Sequence, residues 1–217
     1  MSSTDDAFGG GGGAVFADIA DRYDRLNSIL SLGQDQNWRK RVVEHLPLGR
    51  LLDLGAGTGA ANPIFEGLDV VAVDPSPPML AHNDADHRVV AVGETLPFRD
   101  GEFDAVFSAY VFRNLTSVDE TMDEIARVLR PGGKAGIVDL GRPEKSWLRR
   151  IHRVGTSVTL PLAGMTVGAR DEYTYLHHSL DRYPPPEELL GSGPLHLDST
   201  WRMGPLGFVW AAVLSKE

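Results

Sequence analysis

Asp53 and Asp74 are the carboxylates whose settings give this chain its chemistry. Leu51-Leu52-Asp53-Leu54 has the pattern of a short buried strand, and Gly55-Ala56-Gly57-Thr58-Gly59 follows at once. A strand, a glycine loop and then a helix bring backbone N–H groups and a positive helix end close to a nucleotide-like ligand. Nineteen residues after Gly55, the run Val70-Val71-Ala72-Val73 closes on Asp74. That is the place for a carboxylate that accepts from two ribose hydroxyls.

Two ligands meet the pattern. With Ala60 in last place, Gly55-Ala56-Gly57-Thr58-Gly59-Ala60 also satisfies the dinucleotide fingerprint. Asp53 favours the other ligand. Two residues ahead of the first glycine, its charge repels a pyrophosphate and suits the ammonium of a methionine moiety. S-adenosylmethionine, with a ribose, a sulfonium, an amino-acid end and no phosphate, therefore stands ahead of NAD. A tight strand–helix turn without any ligand is the third reading of the glycines.

Elements must hold these residues in place. Candidate strands are 51–54, 70–73, 89–92, 104–109 and 135–140, each short and apolar. From Val15, the residues Phe16, Ile19, Tyr23, Leu26 and Leu30 recur at helical spacing until Gly33. Asp35 can cap a second helix carrying Trp38, Val42, Val43 and Leu46. An amphipathic helix over 118–130 carries Val118, Met122, Ile125, Val128 and Leu129, with Pro131-Gly132-Gly133 as its stop. Alternating strands and helices predict an α/β fold with a doubly wound, mostly parallel sheet. Thr200–Met203 and Phe208–Leu214, on either side of Gly204-Pro205-Leu206-Gly207, predict a closing antiparallel hairpin. Residues 1–14, with an unbroken glycine run at 9–13, read as a flexible tail, and 15–217 as one domain.

Composition excludes several classes. Acidic residues outnumber basic ones, 30 to 21, so net charge gives no reason to expect nucleic-acid binding. There is no cysteine, hence no disulfide, thiol nucleophile or thiolate metal site. No His, Asp and Glu spacing predicts a metal centre, and no serine elbow of the hydrolase type is present. No apolar run reaches the roughly 18 residues of a membrane span. The first seven residues are acidic and polar, unlike a secretory signal, so a cytoplasmic location is expected.

Further motifs carry a family resemblance. Phe16-Ala17-Asp18-Ile19-Ala20-Asp21-Arg22-Tyr23-Asp24-Arg25-Leu26-Asn27 opens it, with Ser31-Leu32-Gly33 and Trp38-Arg39. Asp74-Pro75-Ser76, Met79-Leu80, Glu94-Thr95-Leu96-Pro97-Phe98 and Phe103-Asp104 follow. Phe112-Arg113-Asn114-Leu115, Arg127 to Lys134, Tyr173-Thr174-Tyr175-Leu176, Ser179 and Pro184 complete it. Over residues 15–217 the chain resembles the ubiquinone/menaquinone biosynthesis C-methyltransferases of the class I S-adenosylmethionine-dependent fold, which is Rossmann-like. The glycine loop, Leu96-Pro97-Phe98 and Leu129-Arg130-Pro131-Gly132-Gly133 are shared by many small-molecule methyltransferases. The leading helix and the Arg113-Asn114 pair are narrower.

The resemblance implies a donor site of Asp53, Gly55, Gly57, Thr58, Gly59, Asp74, Pro75, Met79, Val92, Gly93, Glu94 and Ala109. It implies catalysis by Arg113, Asn114 and Tyr23, a helical lid over 15–48 and an acceptor-pocket insertion over 145–190. The implied reaction methylates a ring carbon of a prenylated hydroquinone. Arg113 would stabilise the phenolate that makes this carbon nucleophilic, since a guanidinium stays charged and donates to oxygen. It is a poor base, so a water is the better proton acceptor. Asn114 would orient an acceptor oxygen, and Tyr23 would place its hydroxyl over the pocket. His177, His178 and His152 are other candidate bases, with solvated helix positions as the plainer reading.

The chain departs from the family at several points. Ala60 replaces an Asp, Val92-Gly93 replaces an Asn/Asp-Ala pair near the adenine, and Ala109 replaces a Ser. Backbone groups still bind adenine without those side chains. Residues 145–153 combine four basic side chains with Trp147, Leu148 and Ile151, a pattern for a membrane surface or a core-facing helix with a basic rim. Another small apolar acceptor, an NAD-dependent oxidoreductase and a non-catalytic donor-binding protein are the rival functions.

Overall fold

The computed structural model describes residues 31, 33–167, 180 and 184–217. Its strands are β1 (Arg50–Leu54), β2 (Asp69–Asp74), β3 (His87–Val90), β4 (Phe103–Ala109), β5 (Leu129–Leu140), β6 (His196–Met203) and β7 (Val209–Ser215). They form one sheet in the order β3-β2-β1-β4-β5-β7-β6. The first five are parallel, and β7 runs antiparallel to both β5 and β6. The expected doubly wound sheet and its closing hairpin are both present.

The helices are α1 (Asp35–Val43), α2 (Pro77–Leu80), α3 (Val118–Val128), α4 (Ser146–Val167) and α5 (Pro186–Leu190). Side chains alternate across a strand, and here the alternation divides two cores. Leu52, Leu54 and Val106 pack with Met122, Ile125 and Val128 of α3. Leu51, Ala105 and Phe107 pack with Trp38 and Val42 of α1. Asp53 shares the parity of Leu51, on the side of the sheet that α1 covers. Among the described residues no helix is long and apolar enough to cross a membrane.

Four local expectations are corrected. No long helix follows the glycine loop: only a single 3-10 turn, Asn62–Ile64, forms there. Fourteen residues, 55–68, join β1 to β2, and Pro63 and Gly67 interrupt them, so a longer helix has no room. Asp35 does not cap α1. Gln34 holds the cap position, while Asp35 accepts from Ser31 Oγ at 3.2 Å and pairs with Arg39 Nε at 3.9 Å. The third strand ends at Val90, and Val92 instead bridges Thr95.

The fourth correction concerns α3, which ends at Val128, before Pro131-Gly132-Gly133. Leu129 is fully buried beside Phe103, and a register shift carries residues 130–133 out of the ladder before Lys134 rejoins it opposite Ala105. At the other end Ser117 Oγ caps the helix by accepting from Glu120 N at 3.2 Å.

Arg127 of α3 pins the Leu96-Pro97-Phe98 segment. Its Nη2 donates to Leu96 O at 2.9 Å, its Nη1 to Phe98 O at 2.8 Å, and its Nε to Glu124 Oε1 at 2.6 Å. Glu124 Oε2 in turn accepts from Leu96 N at 2.7 Å. We expect Arg127→Ala to lower stability by about 2 kcal/mol, because both carbonyls lose a charged donor. Urea unfolding checks this value.

Candidate functional site

Asp53, Asp74, Ala109 and Asp139 stand at the carboxyl ends of β1, β2, β4 and β5. β1 leads to β2 on one side, and β4 occupies the other. In open α/β sheets, ligands bind in the crevice outside such a switch point.

Asp53 is 2% exposed, and its Oδ2 has no hydrogen-bond partner among the described residues. Burial pushes its carboxyl up to about 7, against the pull of the Arg39 guanidinium; Asp74 adds to the rise. A buried, unpartnered carboxylate oxygen is costly and is met best by a cation. The ammonium of S-adenosylmethionine fits that need, whereas a pyrophosphate would be repelled.

Asp74 lies across the loop. Its Oδ2 accepts from Gly57 N at 3.0 Å and its Oδ1 from Ser76 N at 2.8 Å. Burial raises its carboxyl, and those two N–H groups partly offset the rise. Each carboxylate oxygen has a second lone pair, so a ribose diol can also donate to it.

The glycine loop is held by backbone bonds. Gly55 N and Ala56 N donate to Val73 O at 2.8 and 2.9 Å. Gly55 has φ +73, and a Cβ there would run into Val111 Cγ2. Gly57, at φ +52, leaves a cradle that an added Cβ would enter, 3.4 Å from Met79 Cε and 4.0 Å from Asp74 Oδ2. We expect Gly55→Ala to cost about 2–4 kcal/mol, from the left-handed backbone and the displaced valine. Thermal unfolding of the ligand-free protein checks it.

Three supporting residues escaped the sequence reading. Asn83, 1% exposed, donates to Gly57 O at 3.2 Å and accepts from Asn62 Nδ2 at 3.0 Å. Gln36 of α1 donates to Ala60 O at 2.7 Å and leaves its buried Oε1 without a hydrogen-bond partner. It thus reaches the loop where Ala60 lacks a functional side chain. Arg39, also buried, lies over the Tyr110 ring at 5.0 Å from the centroid. Trp38-Arg39 was visible as a motif, but only the fold brings that cation near Asp53.

The other expected donor residues are scattered in environment. Met79 and Gly93 are buried, Thr58 and Ala109 half-buried, Pro75 and Val92 exposed. Glu94 Oε1 accepts from Thr116 N at 2.8 Å and Ser117 N at 3.2 Å, which ties its loop to the start of α3.

Arg113 is not a surface cation. Its side chain is 6% exposed, and its Nη1 lies 3.2 Å from Asp139 Oδ1. Arg113 N donates to the other oxygen, Oδ2, at 3.3 Å. Burial raises the Asp139 carboxyl despite the opposing guanidinium. Asp139 is the missed partner; nothing local in the sequence marks it. Asn114 shares a 3-10 turn with Arg113 but is exposed, so the two side chains occupy different surroundings. Tyr110 follows β4 with φ +64, and burial pushes its phenol up. Tyr23, His177 and His178 lie outside the described residues. His152 stacks on Phe208 at 5.8 Å and touches Arg142, a packing role. Among the described residues no group of His, Asp and Glu is placed to hold a metal.

A seven-stranded sheet with a reversed β7, a glycine loop and two carboxylates at the switch point define a Rossmann-like S-adenosylmethionine-dependent methyltransferase. A profile of the ubiE/COQ5 methyltransferase family matches residues 11–191, and the chain belongs to that family. It is 38% identical to a demethylmenaquinone methyltransferase of Thermus thermophilus over 192 residues, covering 81% of this chain and 87% of the relative. A demethylmenaquinone methyltransferase of Roseiflexus castenholzii is 37% identical over 190 residues, with 81% and 79% covered. Among solved structures, a possible histamine N-methyltransferase of Thermotoga maritima superposes with TM-score 0.69 at 16% identity, covering 94% of this chain and 99% of that one. The last likeness bears on the fold alone.

Proposed function

We propose that this enzyme transfers the methyl group of S-adenosylmethionine to a ring carbon of a prenylated quinol of the demethylmenaquinol class. Bound donor supplies an electrophilic methyl on a sulfonium. Asp53 binds its ammonium, Asp74 its ribose hydroxyls, and the 55–59 loop lets the ligand approach the backbone closely. The observation that carries the acceptor side is the buried Arg113–Asp139 pair beside that donor cleft, in a chain of this family.

Asp139 fixes the orientation of Arg113 through the 3.2 Å ion pair. Arg113 stabilises the phenolate left when a quinol hydroxyl gives its proton to water, and the adjacent ring carbon gains electron density. Asn114 orients an acceptor oxygen. Phenolate and sulfonium carry opposite charges, so exclusion of water from the cleft would favour their reaction.

The test is incubation with labelled donor and a short-chain demethylmenaquinol. Methylated quinol is the expected product. Tight donor binding with no turnover of any quinol would reassign the acceptor to another small apolar molecule.

A further inference from the structure

Among the described residues, the first twelve residues of α4 are covered along a narrow stripe. Over 146–157 only Leu148, His152 and Thr156 are half-buried, and the other nine residues are exposed. Arg142 secures that stripe, with its Nη1 at 3.1 Å from His152 Nδ1 and donating to Thr156 Oγ1 at 2.8 Å. On an adjoining face Trp147, Ile151 and Val154 follow one another at i, i+4 and i+7, 60%, 54% and 64% exposed. Seven large apolar side chains are exposed among the described residues, and three of them lie on these two turns. Water gives no reason for that clustering.

Charge is segregated to the same place. Residues 142–157 carry Arg142, Lys145, Arg149, Arg150 and Arg153 against Glu144, in a chain of net charge −9. Lys145 and Arg150 are exposed. No ion pair among the described residues engages Lys145, Arg149 or Arg150. Arg149 donates to Pro143 O and Glu144 O at 3.2 Å each, bracing the start of the helix. An apolar stripe with a cationic border is the pattern of a helix lying in the headgroup region.

We propose that this face of α4 docks on an anionic phospholipid bilayer. Trp147, Ile151 and Val154 enter the headgroup–acyl boundary, while Lys145 and Arg150 meet lipid phosphates. Each such cation is drawn to the negative potential of an anionic surface. The acidic remainder of the chain is repelled by the same lipid, so only one orientation adsorbs. α4 begins six residues after β5, the strand whose Asp139 holds Arg113. Docking therefore brings the acceptor end of the sheet to the bilayer, a consequence that rests on the quinol reading.

The experiment is sedimentation of the full chain with phosphatidylcholine vesicles, with and without 30% phosphatidylglycerol. Binding is expected only with the anionic lipid, with loss in high salt. A W147S/I151S/V154S variant is expected to bind roughly tenfold or more weakly and to keep its turnover of a water-soluble quinol analogue. Brominated lipid should quench Trp147 in the parent, because Trp38 and Trp210 are buried and Trp201 half-buried. Equal binding of variant and parent, or no binding to anionic vesicles, overturns the proposal. So does Trp147 shielded from acrylamide without lipid, which would mean that the chain itself or a second copy covers the stripe. The vesicles hold no quinol, so a failure here is separate from a failure of the acceptor assignment.

Discussion

Asp53→Asn yields a ligand-free protein that is more stable than the parent at pH 8 and no longer holds the donor. Burial sets the Asp53 carboxyl at about 7 in the folded chain, well above an unfolded aspartate. A raised carboxyl takes up a proton on folding, so the parent's ligand-free stability falls as pH rises from about 4 to about 7. At pH 8 the ionised group costs the fold on the order of 4 kcal/mol. Asparagine removes that cost, and with it the charge that meets the ammonium; donor affinity should drop by about 100-fold or more. In the parent, donor affinity should weaken as pH falls through about 7, approaching tenfold per pH unit below it. Calorimetric titration and thermal unfolding at pH 5.5 and 8 read both effects. An Asp53→Asn protein that keeps the parent's donor affinity would refute the role of this carboxylate.

Arg113→Leu strands Asp139. The carboxylate is 1% exposed, and removing its cation should cost about 3–5 kcal/mol of stability, more at high pH, where the proton that would neutralise it is scarce. Turnover of a quinol should fall about 10²–10³-fold from the lost phenolate stabilisation. R113L/D139L separates the two effects. With both charges gone the core tolerates the site, so stability returns while activity stays lost. Recovery of activity together with stability would assign Arg113 to folding alone. Urea unfolding and single-turnover assays distinguish these outcomes.

The legible part of the site was the part written locally. Asp53, the glycines and Asp74 are strand-end and turn residues, and period-2 burial with left-handed turns leaves a pattern in consecutive residues. The hairpin was legible for the same reason, through Gly204 and Gly207 between two apolar runs. Partners far apart in the chain left no such trace. Asn83 under Gly57, Gln36 against Ala60, Arg39 near Asp53 and Asp139 behind Arg113 are tertiary facts. Propensity misled twice. The amphipathic run through Leu129 reads as helix, but Leu129 is drawn into the sheet beside Phe103. The glycine motif implies a following helix, yet the short, proline-interrupted connection permits one 3-10 turn.

The position of β7 between β5 and β6 has a consequence for synthesis. Ribosomes deliver strands in order, so β6 emerges before the neighbour that joins it to the sheet. Until Val209–Ser215 arrives, one edge of β5 lies open along seven residues, Lys134–Leu140. An open apolar edge is a template for other chains. A nascent protein paused near Met203 therefore carries its greatest hazard of clumping, and chaperone demand should peak there.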